Sequence, residues 1–189
     1  SFLGGGVKLW SWTVGTNSRP DDLPSIELRV PDPDKHDVEK DGLRINSIAF
    51  DDPGERLVTT SWTGIIRTWD ADTGRPRDML KMNGPSWQAR FSPNGQQVTV
   101  VSAGAAYLWN LTSGSLVQPL TGGGKEIRSA EFSPDGMRIV TSSLDGIAAV
   151  WDAFDGRLLR VFQGPYQLGP RRSAAGFSPD GRQIAAVFS

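Results

Sequence analysis

Phe50, Phe91, Phe132 and Phe177 stand 41, 41 and 45 residues apart, and Trp69, Trp109 and Trp151 stand 40 and 42 apart. Each Phe opens a turn of similar spelling: Phe50-Asp51-Asp52-Pro53-Gly54, Phe91-Ser92-Pro93-Asn94-Gly95, Phe132-Ser133-Pro134-Asp135-Gly136 and Phe177-Ser178-Pro179-Asp180-Gly181. Tryptophan follows 19, 18 and 19 residues later. A second turn comes after it: Asp70-Ala71-Asp72-Thr73-Gly74, Asn110-Leu111-Thr112-Ser113-Gly114 and Asp152-Ala153-Phe154-Asp155-Gly156. Four matching registers at one period make this a repeat protein.

Within a unit the local pattern is that of strands. Ile127 and Ala130 precede Phe132, and Met137-Arg138-Ile139-Val140-Thr141 follows the Ser-Pro-Asp-Gly turn. Ile147-Ala148-Ala149-Val150-Trp151 follows Asp145-Gly146, and Leu158-Leu159-Arg160-Val161-Phe162 follows Gly156. Runs of about five β-prone residues bounded by Pro, Asp and Gly predict four antiparallel strands per unit. Pro fixes φ and Gly accepts positive φ, so Pro-Asp-Gly supplies the reversals. No 3.6-residue period is sustained, and almost no helix is expected.

Composition narrows the functions open to such a chain. Lys and Arg number 20 against 21 Asp and Glu, a formal net charge of −1, which removes the main electrostatic reason to bind nucleic acid. There is no cysteine and a single histidine, His36, so thiol chemistry and a multi-histidine metal cluster in one chain are excluded. No apolar run approaches the roughly 18 residues of a spanning helix, and the first residues do not read as a signal peptide. The expectation is therefore no nucleic acid, no membrane, no cofactor, no metal and a cytoplasmic location.

These residues resemble the WD-repeat β-propeller family. The resemblance rests on the Phe-Ser-Pro-Asp-Gly turns, on Ser143-Leu144-Asp145-Gly146, and on the pairs Trp69-Asp70 and Trp151-Asp152, with weaker copies at Trp109-Asn110 and Trp10-Ser11. It implies an all-β propeller of four-stranded antiparallel blades, four blade-equivalents in this chain, open at both ends unless the termini or a second copy close it. The whole of 1–189 is then one propeller segment. Residues 1–12 supply the third strand of a split blade, and 25–70, 77–110 and 116–152 are repeats that each include the preceding outer strand. Residues 158–189 supply an outer strand and the first two strands of the split blade. A slice of a longer array and a two-chain ring rank above a closed ring of four blades. The family's Gly-His pair is missing, with Asp41, Met82, Gly123 and Leu168 at the histidine position. Its turn aspartate survives only as Asp145, with Thr63 and Ala103 elsewhere. The resemblance then implies a broken Trp–Ser–His–Asp network, with rigidity resting on packing and turns, and modest stability.

Catalytic groups are sparse. His36 sits in an insertion at 31–42 with Asp32, Asp34, Asp37, Glu39 and Asp41, whose alternation lacks the glycine and final glutamate of a calcium loop. It reads as a solvated insertion, with a partner-contacting loop as the sharper alternative. Asp135 and Asp180 are explained as turn residues, and Gly122-Gly123-Gly124-Lys125 lacks the spacing of a phosphate loop. Asn110-Leu111-Thr112 is a glycosylation triplet in an ordinary turn slot. The chain is read as no enzyme.

What remains is surface. In the family resembled, partners sit on the face carrying the turns between second and third strands and the approaches to the first. The former positions are Leu3, Trp62, Ser102 and Leu144; the latter, four residues before each Phe, are Asn46, Trp87, Arg128 and Ser173. Trp and Arg dominate binding hot spots, so Trp62, Trp87 and Arg128 lead the candidates, with Leu3, Leu144 and Asn46 beside them. The competing account has Trp62 and Trp87 filling gaps left by the missing His and Asp. Trp10, Trp69, Trp109 and Trp151, with Phe50, Phe91, Phe132 and Phe177, read as structural. The expected role is a non-catalytic platform for a protein or peptide, with a homo-oligomer or additional blades completing the ring. The alternatives are a self-assembling half-propeller and, lower, a channel-site enzyme or ligand-binding propeller.

Overall fold

Strands account for all the regular structure in a computed structural model of the chain, which describes residues 7–10, 25–28, 44–164 and 173–188. Three four-stranded sheets follow one another. The first holds β3 (Ile45–Phe50), β4 (Arg56–Ser61), β5 (Ile65–Asp70) and β6 (Pro76–Lys81). The second holds β7 (Ser86–Phe91), β8 (Gln97–Ser102), β9 (Ala105–Asn110) and β10 (Leu116–Leu120). The third holds β11 (Ile127–Phe132), β12 (Arg138–Ser143), β13 (Ile147–Asp152) and β14 (Leu158–Gln163). Two half-sheets flank them: β1 (Lys8–Trp10) with β2 (Ser25–Glu27), and β15 (Ser173–Phe177) with β16 (Ile184–Phe188). All pairings are antiparallel, and the two half-sheets are not joined to each other. The described residues thus form an all-β array of propeller blades whose sheets do not close on one another.

The reversals between first and second strands follow from their glycines. Gly54, Gly95, Gly136 and Gly181 hold φ of 76°, 65°, 72° and 70°, a region closed to most side chains. The first strands β3, β7, β11 and β15 lie side by side in that order and form the inner wall. Second and third strands are sandwiched between neighbouring sheets. β4 and β5 are therefore buried almost throughout, with Thr59, Thr60, Ser61, Arg67 and Thr68 enclosed beside their apolar residues.

Apolar clusters fill each seam. Trp69 and Leu57 pack with Leu28, Val7 and Leu9 of the first half-sheet, while Ile66 and Val58 pack with Ala89, Val98, Val100 and Trp109 of the second sheet. Trp151 and Ala149 join Val101, Leu108, Leu120 and Ile127. Val140 and Val150 pack on Ala175, with Phe177 and Ile184 beside them. The indole Nε1–H groups of Trp69 and Trp151 donate to Thr59 Oγ1 and Thr141 Oγ1, each at 2.9 Å. The link from tryptophan to hydroxyl thus survives the loss of histidine. The histidine slots of the second and third sheets are closed by packing: Met82 is buried against Trp109, and a Cβ at Gly123 would run into the Trp151 ring. In the second sheet Thr99 Oγ1 donates instead to the Ala130 carbonyl of the third, at 2.9 Å.

Long side chains staple the seams. Arg56 Nη2 donates to the Gly95 carbonyl at 2.7 Å while its guanidinium lies 5.2 Å from the Phe91 ring. Arg138 repeats this on the Gly181 carbonyl at 3.1 Å and over Phe177 at 5.6 Å. Between them Gln97 Nε2 donates to the Ala153 carbonyl at 3.2 Å. Phe50, expected to be structural like the other three, is 56% exposed, whereas Phe91, Phe132 and Phe177 are half-buried.

Candidate functional site

One rim of the array gathers most of the candidate residues, and backbone irregularity puts them there. Asn46, Trp87 and Arg128 are each skipped in the pairing of their strands: Ile45 and Ser47 oppose Ser61 and Thr60, Ser86 and Gln88 oppose Ser102 and Val101, and Ile127 and Ser129 oppose Ser143 and Ser142. Each is the extra residue of a β-bulge, a device that re-aims a side chain out of the ladder. Asn46 and Arg128 are exposed and Trp87 is half-buried. The turns between second and third strands meet them. The backbone N–H groups of Trp62, Ala103 and Leu144 donate to the carbonyls of Arg44, Pro85 and Glu126 at 3.0, 3.0 and 3.2 Å.

Trp62 and Trp87 touch edge to face, ring centroids 5.0 Å apart and planes at 90°, and Trp62 remains 48% exposed. The pair spans the first two sheets. Asn46 Nδ2 donates across the same seam to the Ser86 carbonyl at 2.8 Å. One blade on, Arg128 Nη2 lies 3.1 Å from Glu126 Oε2, an exposed ion pair that leaves the guanidinium accessible. Leu144 is half-buried above it. The rim therefore offers an aromatic shelf, an amide and a guanidinium in successive blades. Met82 and Gly123 close the histidine slots of the second and third sheets, while Asp41, at the slot of the sheet that carries Trp62, lies outside the described residues.

Two rim positions counted from the repeat lie elsewhere. Ser102 is 1% exposed and accepts from Ser86 Oγ at 3.1 Å, because the middle unit is one residue shorter and its turn slot falls on Ala103. Ala103 holds φ of 48° to make that turn. Ser173 is 8% exposed and accepts from Ser142 Oγ at 3.2 Å, since β15 pairs with β16 without a bulge. Leu3, Trp12, His36 and the 31–42 insertion lie outside the described residues, as does the side chain of Trp10.

The opposite rim carries the Ser-Pro-Asp-Gly turns. Its carboxylates are held low by their own turns. The Ser133 hydroxyl, then the Met137 N–H, lowers Asp135, and the Ser178 hydroxyl, then the Arg182 N–H, lowers Asp180. Asp70, in the turn after the third strand, is lowered to about 2 by the Arg77 guanidinium and by Thr73. These carboxylates cap turns and do not converge on a common cavity. The inner wall holds a hollow of about 380 Å³ touched by Asp52, Arg90 and Glu131. Arg90 there is committed to the Ala89 carbonyl at 3.0 Å. No group of three or more metal-ligating side chains occurs among the described residues, and no helix there is long and apolar enough to cross a membrane. Asn110 Oδ1 accepts from the N–H groups of Thr112 and Ser113, so the glycosylation triplet folds its asparagine into the turn. Two side chains outside the sequence-based candidates stand out on this rim: Phe154 is 91% exposed and Met137 70%.

Comparison with known proteins agrees with the repeat architecture. The family model described as WD domain, G-beta repeat, matches residues 35–70 and 114–152. Telomerase protein component 1 of Rattus norvegicus is 29% identical over 188 residues, 98% of this chain and 6% of that protein. The U3 small nucleolar RNA-associated protein 21 homolog of Schizosaccharomyces pombe is 26% identical over 147 residues, 77% of this chain and 16% of that protein. The guanine nucleotide-binding protein subunit beta of Zea mays is 29% identical over 123 residues, 60% of this chain and 32% of that protein. The chain thus spans less than a third of the length of each of these relatives.

Proposed function

Because the chain belongs to the WD-repeat family, we propose that it is a non-catalytic platform holding a protein or peptide partner on the rim formed by Asn46, Trp62, Trp87, Arg128 and Leu144. WD-repeat proteins generally act as interaction scaffolds, and a subunit of a guanine nucleotide-binding protein is among the relatives. The observation that carries the reading is the Trp62–Trp87 pair, an aromatic surface left open beside side chains that bulges deliver to the rim. Large rigid aromatics beside an amide and a guanidinium are the chemistry of interface hot spots. A peptide array probed with the full chain tests it. Peptides bound by the parent chain are expected to be lost to Trp62→Ala and Trp87→Ala while the thermal midpoint changes little. Binding indifferent to both substitutions overturns the assignment of this rim.

The separate half-sheets β1–β2 and β15–β16 favour a second reading, in which two copies complete each other's split blade. Light scattering over a concentration series distinguishes it: about 41 kDa, twice the 20.5 kDa chain, supports the pair, and a stable 20.5 kDa species removes it.

A further inference from the structure

On the rim opposite the tryptophan pair, we propose a second docking groove, between the second and third sheets, for a short extended peptide carrying an apolar side chain next to a basic one. The groove encloses about 450 Å³. Its apolar wall is Met137 and Phe154, 70% and 91% exposed and held side by side because the Ala153 N–H donates to the Met137 carbonyl at 3.0 Å. The repeat makes this pair unusual. The slot of Phe154 holds Asp72 and Thr112 in the other two turns, and the slot of Met137 holds Glu55, Gln96 and Arg182. Only this seam carries two adjacent apolar residues where every other copy is polar. Solvation costs an exposed Phe and Met what burial against a partner returns, and both types are enriched at interfaces.

The rest of the lining suits a main chain. Asn94 Oδ1 accepts from Ser92 Oγ at 2.7 Å and from the Gln96 N–H at 3.1 Å, and Asn110 Oδ1 accepts from two backbone N–H groups. Their amide NH2 groups make no hydrogen bond within the described residues. Gln97, which donates to the Ala153 carbonyl, keeps its carbonyl oxygen as an acceptor. Carboxamide donors and acceptors on the second-sheet wall can pair with the N–H and C=O of an extended segment. Asp152 is the one charged residue in the lining and has no cation beside it there. Its Oδ1 accepts from the Phe154 N–H at 2.8 Å, which leaves Oδ2 for a ligand cation next to the apolar anchor. Charge complementarity therefore selects a basic neighbour over an acidic one.

The test uses the full chain and a fluorescent, end-blocked peptide of Gly and Ser with one Phe-Lys pair, followed by polarisation. Saturable binding is expected. Phe154→Ser should weaken it at least about tenfold, the loss typical of an interface anchor. Asp152→Asn keeps the oxygen that accepts the Phe154 N–H, and should weaken the Phe-Lys peptide severalfold without changing a Phe-Gln peptide. Phe154 is exposed, so its variant is expected to fold; should it not, Gln96→Ala reads the same groove. Equal binding by Phe154→Ser, equal affinity for a Phe-Glu peptide, or no saturable binding at millimolar peptide each overturns the proposal.

Discussion

Tryptophan serves two regions of this molecule in opposite ways. In the seams, Trp69 and Trp151 are 1% exposed and donate their single polar hydrogen to a threonine one strand away. At the rim, Trp62 is nearly half exposed and meets another indole edge to face. The seam tryptophans return at the repeat period and are present because each blade must fill the same space. The rim tryptophans break the period, since their counterparts are Ala103 and Leu144 in one row and Asn46 and Arg128 in the other. A residue type that holds the array together where it repeats stands open at the surface where it does not.

Substitutions can break or sharpen that contrast. The largest effect is expected for Trp151→Ala, which should cost about 3–5 kcal/mol by chemical denaturation because it opens a cavity between two sheets. Arg56→Ala comes next. It removes both the staple to Gly95 and the partner of Asp51, whose side chain is 1% exposed and lies 2.7 Å from Arg56 Nε. Part of the arginine is in water, so about 2–3 kcal/mol is expected rather than the 3–5 of a fully buried pair. Thr141→Val leaves the Trp151 indole without its acceptor and should cost about 1–2 kcal/mol. Trp62→Ala should cost about 1–2 kcal/mol, the edge-to-face contact and the buried half of the ring, and yet abolish rim binding. A loss as large as that of Trp151→Ala would make Trp62 a core residue and erase the contrast.

The smallest effect is electrostatic. Asp70 sits at about 2, below the ordinary 3.8, because Arg77 Nη2 is 2.6 Å from its carboxylate. A folded value below the unfolded one means the contribution is present above about pH 4 and fades as pH falls toward 2. Arg77→Ala should move the carboxyl back toward 3.8 in an NMR titration, and an unmoved value would show that Thr73 alone holds it low.

Much of this fold is legible along the chain because its turns are local. Pro-Asp-Gly announces a reversal through the φ of two residues, and no distant contact has to be known to place it. The rim was legible only as far as the count from each Phe held. That count reached Asn46, Trp87 and Arg128 but missed at Ser173, where β15 has no bulge; the count back from each Trp missed at Ser102, where the middle turn is a residue short. Whether a bulge forms depends on how the partner strand aligns, which is not a local property. Phe154 and Met137 lie 17 residues apart in sequence and become neighbours only through the pairing of Ala153 with Met137. The surviving bonds from Trp69 and Trp151 to threonine were hidden for another reason: the resemblance directed attention to the histidine that is missing, not to the hydroxyl that remains.

The bulges at Asn46, Trp87 and Arg128 also separate side-chain identity from strand register. A residue squeezed out of the ladder takes no part in its pairing, so its side chain can change without shifting register, even where, as at Asn46 and Trp87, it also reaches across a seam. Amide, indole and guanidinium already occupy that place in three consecutive blades on one unaltered backbone. An array built this way can change the chemistry of its rim through single exchanges, leaving its architecture as it was.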